Sequence, residues 1–91
     1  MEKSSHYASL PPDVILRKVE EEAVLLNLKN TRYYSLDPVG TRMVEVLTSS
    51  SSFEQASALL SEEYDIDPVT LQSDLQELIN KLLARGLIEI S

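Results

Sequence analysis

The repeat of the chain changes at one point, and that change restricts the fold more than any other feature. Arg32-Tyr33-Tyr34-Ser35-Leu36 alternates with the two-residue period of a strand. Asp37-Pro38 follows at once and has the chemistry of a helix start. The Asp carboxylate can cap orphan amides, and Pro occupies a position that needs no amide bond. Beyond it the apolar residues Val39, Met43, Val46 and Leu47 recur at spacings of three and four. A strand that hands over directly to a helix, with strand-like runs before it and helical ones after it, predicts an α+β domain.

Upstream, Val14 to Val19 is a β-branched run that predicts a first strand, and Glu20-Glu21-Glu22 a charged turn. Ala23 to Leu28 predicts a second strand with Val24, Leu26 and Leu28 on one face. Lys29-Asn30-Thr31 is a short hairpin loop in which Asn30 can take positive φ. With Arg32 to Leu36 as the third strand, the three form an antiparallel meander. Downstream, Pro38 to Leu47 predicts a first helix, in which Gly40 costs about 1 kcal/mol relative to Ala and so suggests close packing. Thr48 to Ser52 is a hydroxyl-rich break, and Ser52 with Gln55 matches a capping box. A second helix over 53–64 is expected to bury Phe53, Ala56, Leu59 and Leu60. Asp67-Pro68 repeats the Asp-Pro start, and the third helix runs to Arg85 with a core row of Leu71, Leu75, Leu78 and Leu82, widened by Ile79 and Leu83. Gly86 suits the residue after a helix end, and Leu87 to Ile90 is a terminal extended piece. The order describes a winged helix-turn-helix-like domain over residues 14–91, preceded by a flexible polar tail over 1–13 that ends in Leu10-Pro11-Pro12-Asp13.

The 91 residues make one domain, able to bury roughly 60–65% of its unfolded surface. Net charge is −7, and it is uneven: residues 1–48 carry six basic and seven acidic side chains, residues 49–91 two and eight. Such a field repels phosphate backbones and anionic lipid, so neither nucleic acid nor membrane is expected as a partner. A neutral or basic peptide is compatible with it, and so is simple solubility. The absence of cysteine removes thiol chemistry and disulfides and fits a cytoplasmic location. No apolar run approaches the roughly 20 residues of a membrane span, and Met1 to Ser9 has no signal-peptide core.

Chemistry is sparse. His6 is the only histidine and sits in the expected tail. With no cysteine or second histidine, a metal site has few ligands to draw on. The acidic runs Glu20-Glu21-Glu22 and Glu62-Glu63-Tyr64-Asp65 lack the alternating, glycine-bearing spacing of a calcium loop. The two glycines, Gly40 and Gly86, cannot form a phosphate loop. Asp37 beside Pro38 reads as a cap rather than a general base. The expectation is a non-enzyme that needs no cofactor.

Several stretches, taken in order, resemble the PqqD-like family. They are Tyr33-Tyr34-Ser35-Leu36-Asp37-Pro38-Val39-Gly40-Thr41-Arg42-Met43, Glu62 to Pro68, Asp74-Leu75 and Leu82 to Ile88. The family comprises peptide-recognition domains (RiPP recognition elements) of ribosomally made, modified peptides. The Tyr-Tyr-x-Leu-Asp-x-x-Gly form is most similar to the stand-alone leader-binding proteins of lasso-peptide biosynthesis. The resemblance covers roughly residues 14 to 90. It implies that the leader of a precursor peptide adds as an antiparallel strand to the third strand, in a groove shared with the third helix. It further implies a handover to a cysteine-type leader protease and then to a cyclase. The chain departs from the family pattern at Val44, where a bulky aromatic is common, and at Ser49 to Ser52.

The residues support the same mechanism by themselves. An open strand edge is either covered or used, and strand addition takes affinity from main-chain bonds and specificity from side-chain pockets. The candidate peptide-binding residues are Arg32, Tyr33, Tyr34, Ser35, Leu36 and Asp37 on the strand. On the third helix they are Leu71, Gln72, Leu75, Gln76, Leu78, Ile79 and Leu82. By parity Tyr34 and Leu36 face the helices, while Tyr33 and Ser35 face away. The leucines serve equally well as plain core. Two other readings stay open: a PqqD-type chaperone that presents its precursor to a radical enzyme, and a winged-helix transcription regulator. The second is opposed by the acidic helical half and by a third helix with no cation before Lys81.

Overall fold

Side-chain parity and short turns build the sheet. A computed structural model of the chain describes residues 6–90; residues 1–5 of the expected tail, and Ser91, lie outside the described residues. A short strand β1 (Ala8–Ser9) comes first. Strands β2 (Val14–Val19), β3 (Glu22–Asn27) and β4 (Tyr33–Leu36) then form an antiparallel sheet in the order β2-β3-β4. The β2–β3 turn is only Glu20-Glu21, and Glu20 takes φ 61° to close it. In the next hairpin the left-handed residue is Thr31 at φ 58°, not Asn30 as expected. The Asn30 side-chain oxygen instead accepts a hydrogen bond from Arg32 N at 2.9 Å, a local turn that moves the strained position one residue on.

One face of the sheet is inside. Ala23, Leu25 and Asn27 of β3 and Leu36 of β4 are buried, whereas Val24 and Leu28 are exposed. The expected Val24–Leu26–Leu28 face of the second strand is therefore the outer one. Alternation placed the three together correctly but cannot say which side the helices cover. The two sheet edges differ in character. β2 carries Arg17 and Lys18, while β4 has no charged residue between Tyr33 and Leu36.

Helices α1 (Pro38–Leu47), α2 (Phe53–Tyr64) and α3 (Pro68–Ala84) follow, each behind a side-chain cap. Asp37 accepts from Gly40 N at 2.7 Å, Ser52 from Gln55 N at 3.0 Å, and Asp67 from Val69 N and Thr70 N at 3.1 and 3.2 Å. Gln55 reaches back to Ser51 N at 2.6 Å, one residue before the capping-box position. The buried stripe of α3 is Leu71, Leu75, Ile79 and Leu82. Leu78 is half-buried, so Ile79 takes the core place expected of it: both fit a 3.6-residue period, and the tilt of the helix decides between them. Leu59 is exposed, and Ala56, Ser57 and Leu60 are the buried residues of α2. Val39 is likewise exposed at the first turn of α1, where Thr41, Met43, Val44, Val46 and Leu47 are buried.

The end of α3 closes as a Schellman motif. Gly86 takes φ 67°, Gly86 N donates to Leu83 O at 3.1 Å, and Leu87 N donates to Leu82 O at 2.9 Å. The chain then forms β5 (Glu89–Ile90), which pairs antiparallel with β1, Ala8 opposite Ile90. Residues 7–10 of the expected tail pack on the core. Ala8 is fully buried, the Tyr7 ring meets Phe53 edge-on at 6.1 Å, and Tyr7 N donates to Ser50 O at 2.7 Å. Among the described residues no helix is long and apolar enough to cross a membrane.

A chain of ion pairs ties α1 to its neighbours. Lys18 Nζ reaches Glu45 at 2.7 Å, and Arg42 grips Glu63 through Nε and Nη2 at 2.9 and 3.0 Å. Hydrogen bonds from Arg42 hold the Glu63 carboxyl below its ordinary value of 4.5, and those from Lys18 and then Arg42 do the same for Glu45. A depressed carboxylate contributes stability above its unfolded-state pKa and loses it as pH falls through the folded value.

Two outcomes follow from this architecture. Gly86→Ala should cost about 1–2 kcal/mol, because an L-residue is strained in the left-handed region and its Cβ would stand 3.2 Å from Asn27 Nδ2; a thermal melt reads this as a lower Tm. Glu63→Gln should destabilise the domain at pH 7. Its deficit against the wild type should close as the pH is lowered below 4.5, as followed by urea unfolding at a series of pH values.

Candidate functional site

The open edge of β4 is defined by which backbone groups its partner strand uses. Asn27 N donates to Arg32 O at 2.8 Å. The register places Leu26 opposite Tyr33, Leu25 opposite Tyr34, Val24 opposite Ser35 and Ala23 opposite Leu36. In an antiparallel ladder, residue pairs that exchange bonds alternate with pairs that do not. The Arg32 C=O and the N–H and C=O groups of Tyr34 and Leu36 therefore turn toward β3. Tyr33 and Ser35 turn theirs toward the edge that has no strand partner among the described residues, offering two donors and two acceptors to an extended chain.

Side chains frame that edge on the helical side. Tyr34, Ser35, Leu36, Asp37, Gly40 and Leu78 line a cleft of about 180 Å3. Leu36 is buried, Tyr34 half-buried, and Tyr33 is 64% exposed on the outer face, in line with strand parity. Gly40 is close-packed: a Cβ there would meet Asp37 Oδ1 at 3.1 Å and Leu36 Cδ2 at 3.2 Å. Beside the cleft the Arg85 guanidinium lies over the Tyr34 ring, 5.1 Å from its centre. Arg85 also donates to Lys81 O at 3.2 Å.

Of the remaining candidate residues, Leu71, Leu75, Ile79 and Leu82 are covered by the protein's own core and lie beneath the surface. Gln72 lines a separate cleft between α2 and α3, beside Ser57, Ser61 and Pro68. Gln76 is exposed and donates to Asn80 Oδ1 at 3.0 Å. The structure thus brings the β4 residues together with Leu78 and sets the two glutamines apart from them. Gly40 lines the cleft and Arg85 covers the Tyr34 ring beside it, although neither was among the candidates. Arg85 stands out in sequence only as the residue before a helix-ending glycine, and Gly40 only as an unfavourable residue in a helix. Among the described residues no group of three or more His, Asp or Glu side chains gathers to hold a metal ion.

A three-stranded antiparallel sheet followed by three capped helices makes a small α+β domain. The chain belongs to the Coenzyme PQQ synthesis protein D (PqqD) family, which matches residues 22–88. Two solved structures share the fold. One, TbiB1 in complex with the TbiA(beta) leader peptide, is 29% identical with a TM-score of 0.80, over 88% of this chain and 93% of that one. The other, a lasso peptide synthetase B1 complexed with the leader peptide, is 20% identical with a TM-score of 0.81, over 91% and 98%. No curated protein sequence matches the chain.

The edge geometry distinguishes two neighbouring residues. Tyr34→Pro removes a donor that β3 uses, whereas Ser35→Pro removes one that points outward. Tyr34→Pro should therefore be the less stable by about 1–3 kcal/mol in chemical denaturation, the penalty of an unmet buried bond.

Proposed function

We propose that this protein binds the leader segment of a ribosomally made precursor peptide, as a strand added antiparallel to β4, during lasso-peptide maturation. The observation that carries the reading is the free edge of Tyr33 and Ser35 beside a cleft floored by Leu36 and Leu78. The same fold holds a leader peptide in TbiB1. Main-chain bonds from the edge supply affinity without regard to sequence, and side chains entering the cleft supply selectivity. The binding residues on this reading are Arg32 to Asp37 and Leu78, with Leu71, Leu75, Ile79 and Leu82 as the support beneath.

The role is one of presentation rather than catalysis, carried out in the cytoplasm by a domain that includes β1. The bound precursor passes to a partner leader protease and then to a cyclase. Ile15, Val24, Leu28 and Tyr33 leave an apolar stretch on the outer sheet face, which a partner enzyme could cover. The family match also favours a second reading, in which the same groove presents a precursor to a radical enzyme of another pathway. The genes beside this one separate the two.

The test uses a fluorescein-labelled synthetic peptide spanning the leader encoded beside this protein. Fluorescence polarisation should show saturable binding. Tyr33→Ala should weaken it by about tenfold, equivalent to about 1.4 kcal/mol, and Ser35→Pro should abolish it while circular dichroism reports a folded domain. A wild-type domain with no affinity for that peptide sinks the reading.

A further inference from the structure

The groove beside β4 has a charge direction that strand pairing alone does not explain. β4 and α3 cross it in opposite senses. Tyr34 meets Arg85 near one end, while Leu36, Asp37 and Gly40 meet Leu78 toward the other. Arg32 belongs to the Arg85 end. Asn27 Nδ2 donates to Gly86 O at 2.9 Å, and Asn27 N donates to Arg32 O at 2.8 Å, so one residue holds both arginine-bearing segments together. On α3, positions 74, 78 and 85 share one side of the helix. That side reads Asp74, Leu78, Arg85: negative, apolar, positive. β4 traversed in the same direction reads Asp37, Leu36, Tyr34, Arg32, with the same signs in the same order.

The positive end is not neutralised internally. Lys18, Lys29, Arg42 and Lys81 each have a carboxylate within 4.0 Å. Among the described residues three cations have none, Arg17 on β2 and, at this end of the groove, Arg32 and Arg85, although the chain as a whole carries −7. Two guanidinium groups without a carboxylate partner at one end of the cleft are an arrangement for receiving a carboxylate, since planar guanidinium groups bind it well.

We propose that the groove selects its peptide by charge polarity as well as by strand pairing. It takes an extended segment with an Asp or Glu on the C-terminal side of the bound strand, against Arg32 and Arg85, and a neutral or basic N-terminal side, against Asp37 and Asp74. This rests on the leader-binding reading above. An antiparallel strand runs opposite to β4, so its C-terminal side passes the Arg32 end. The same polarity disfavours parallel addition, because a peptide of this kind laid the other way would set like charges together.

The experiment uses the labelled leader peptide of the previous section and a version with the Asp and Glu residues in the C-terminal half of its bound segment changed to Lys. Both are titrated against wild-type protein, Arg32→Glu, Arg85→Glu and Arg85→Lys at low salt. Wild-type protein should bind the Lys version roughly fivefold or more weakly. Arg32→Glu and Arg85→Glu should weaken the natural leader by a similar factor and recover the Lys version, and Arg85→Lys, which keeps the charge without the planar fork, should lie between wild type and Arg85→Glu. The gaps should shrink at 0.5 M salt, where charges a few ångströms apart are screened. Arg32 is exposed with no side-chain partner among the described residues, so its variant tests the idea even if Arg85→Glu loses the Tyr34 contact and unfolds. Equal affinities within twofold across the set, or a leader with no Asp or Glu in that half, overturn the proposal and leave leader binding intact. No binding by the wild type overturns leader binding, and this proposal with it.

Discussion

The buried side chain of Asn27 holds the working geometry of this domain. It sits at the last residue of β3, 7% exposed, where a polar group must find partners or destabilise the fold. It finds them on two elements. Its Nδ2 donates to Gly86 O at the close of α3, and its Oδ1 accepts from Lys29 N in the hairpin at 2.9 Å. Its backbone N–H goes to Arg32 O, which starts the β4 ladder. One residue thus joins the strand that forms the edge, the turn that leads into it and the helix that faces it. The width of the groove follows from that junction. Gly86 matters for a related reason, since only a residue without Cβ brings its backbone this close to the Asn27 amide in a left-handed conformation.

Much of this was legible in the chain because the relevant chemistry is local. The two Asp-Pro starts, the Ser52 cap and the closing glycine act within a few residues, and each lies where the sequence places it. Parity assigned Tyr34 and Leu36 to one face of β4 and Tyr33 and Ser35 to the other. What sequence could not resolve depends on three-dimensional placement. Leu78 and Ile79 fit a helical stripe equally well, and only the docking of α3 sends one into the core and the other toward β4. Val24, Leu26 and Leu28 form a genuine face, yet nothing in a strand says which face the helices will cover. Asn30 and Thr31 exchanged roles because a side-chain hydrogen bond competes with the backbone geometry that asparagine otherwise favours. Gln72 and Gln76 stand on the far side of α3, which spacing along one helix does not reveal without the positions of its neighbours.

The ion pairs and the groove divide the charges of the domain between structure and surface. Lys18, Arg42, Glu45 and Glu63 are engaged in holding α1 against β2 and α2. These partly exposed contacts are worth little one by one but are coupled through shared partners. Their engagement leaves the cations at the start of β4 and the end of α3 without a carboxylate partner among the described residues. Paired charge around α1 and unpaired charge beside β4 come from the same allocation of side chains.

The contrast between the two sheet edges sets the valence of the fold. Strand edges propagate: a chain that pairs with one presents a new edge to the next, which is how ordered aggregates grow. Here β2 places Arg17 and Lys18 along its free side, and Lys18 is anchored to Glu45, so that side resists pairing. β4 is four residues long and ends at once in a helix capped by Asp37, so any strand laid on it is held over a short span. A guarded edge opposite a short open one makes the sheet a terminus for a single guest strand rather than the seed of a stack.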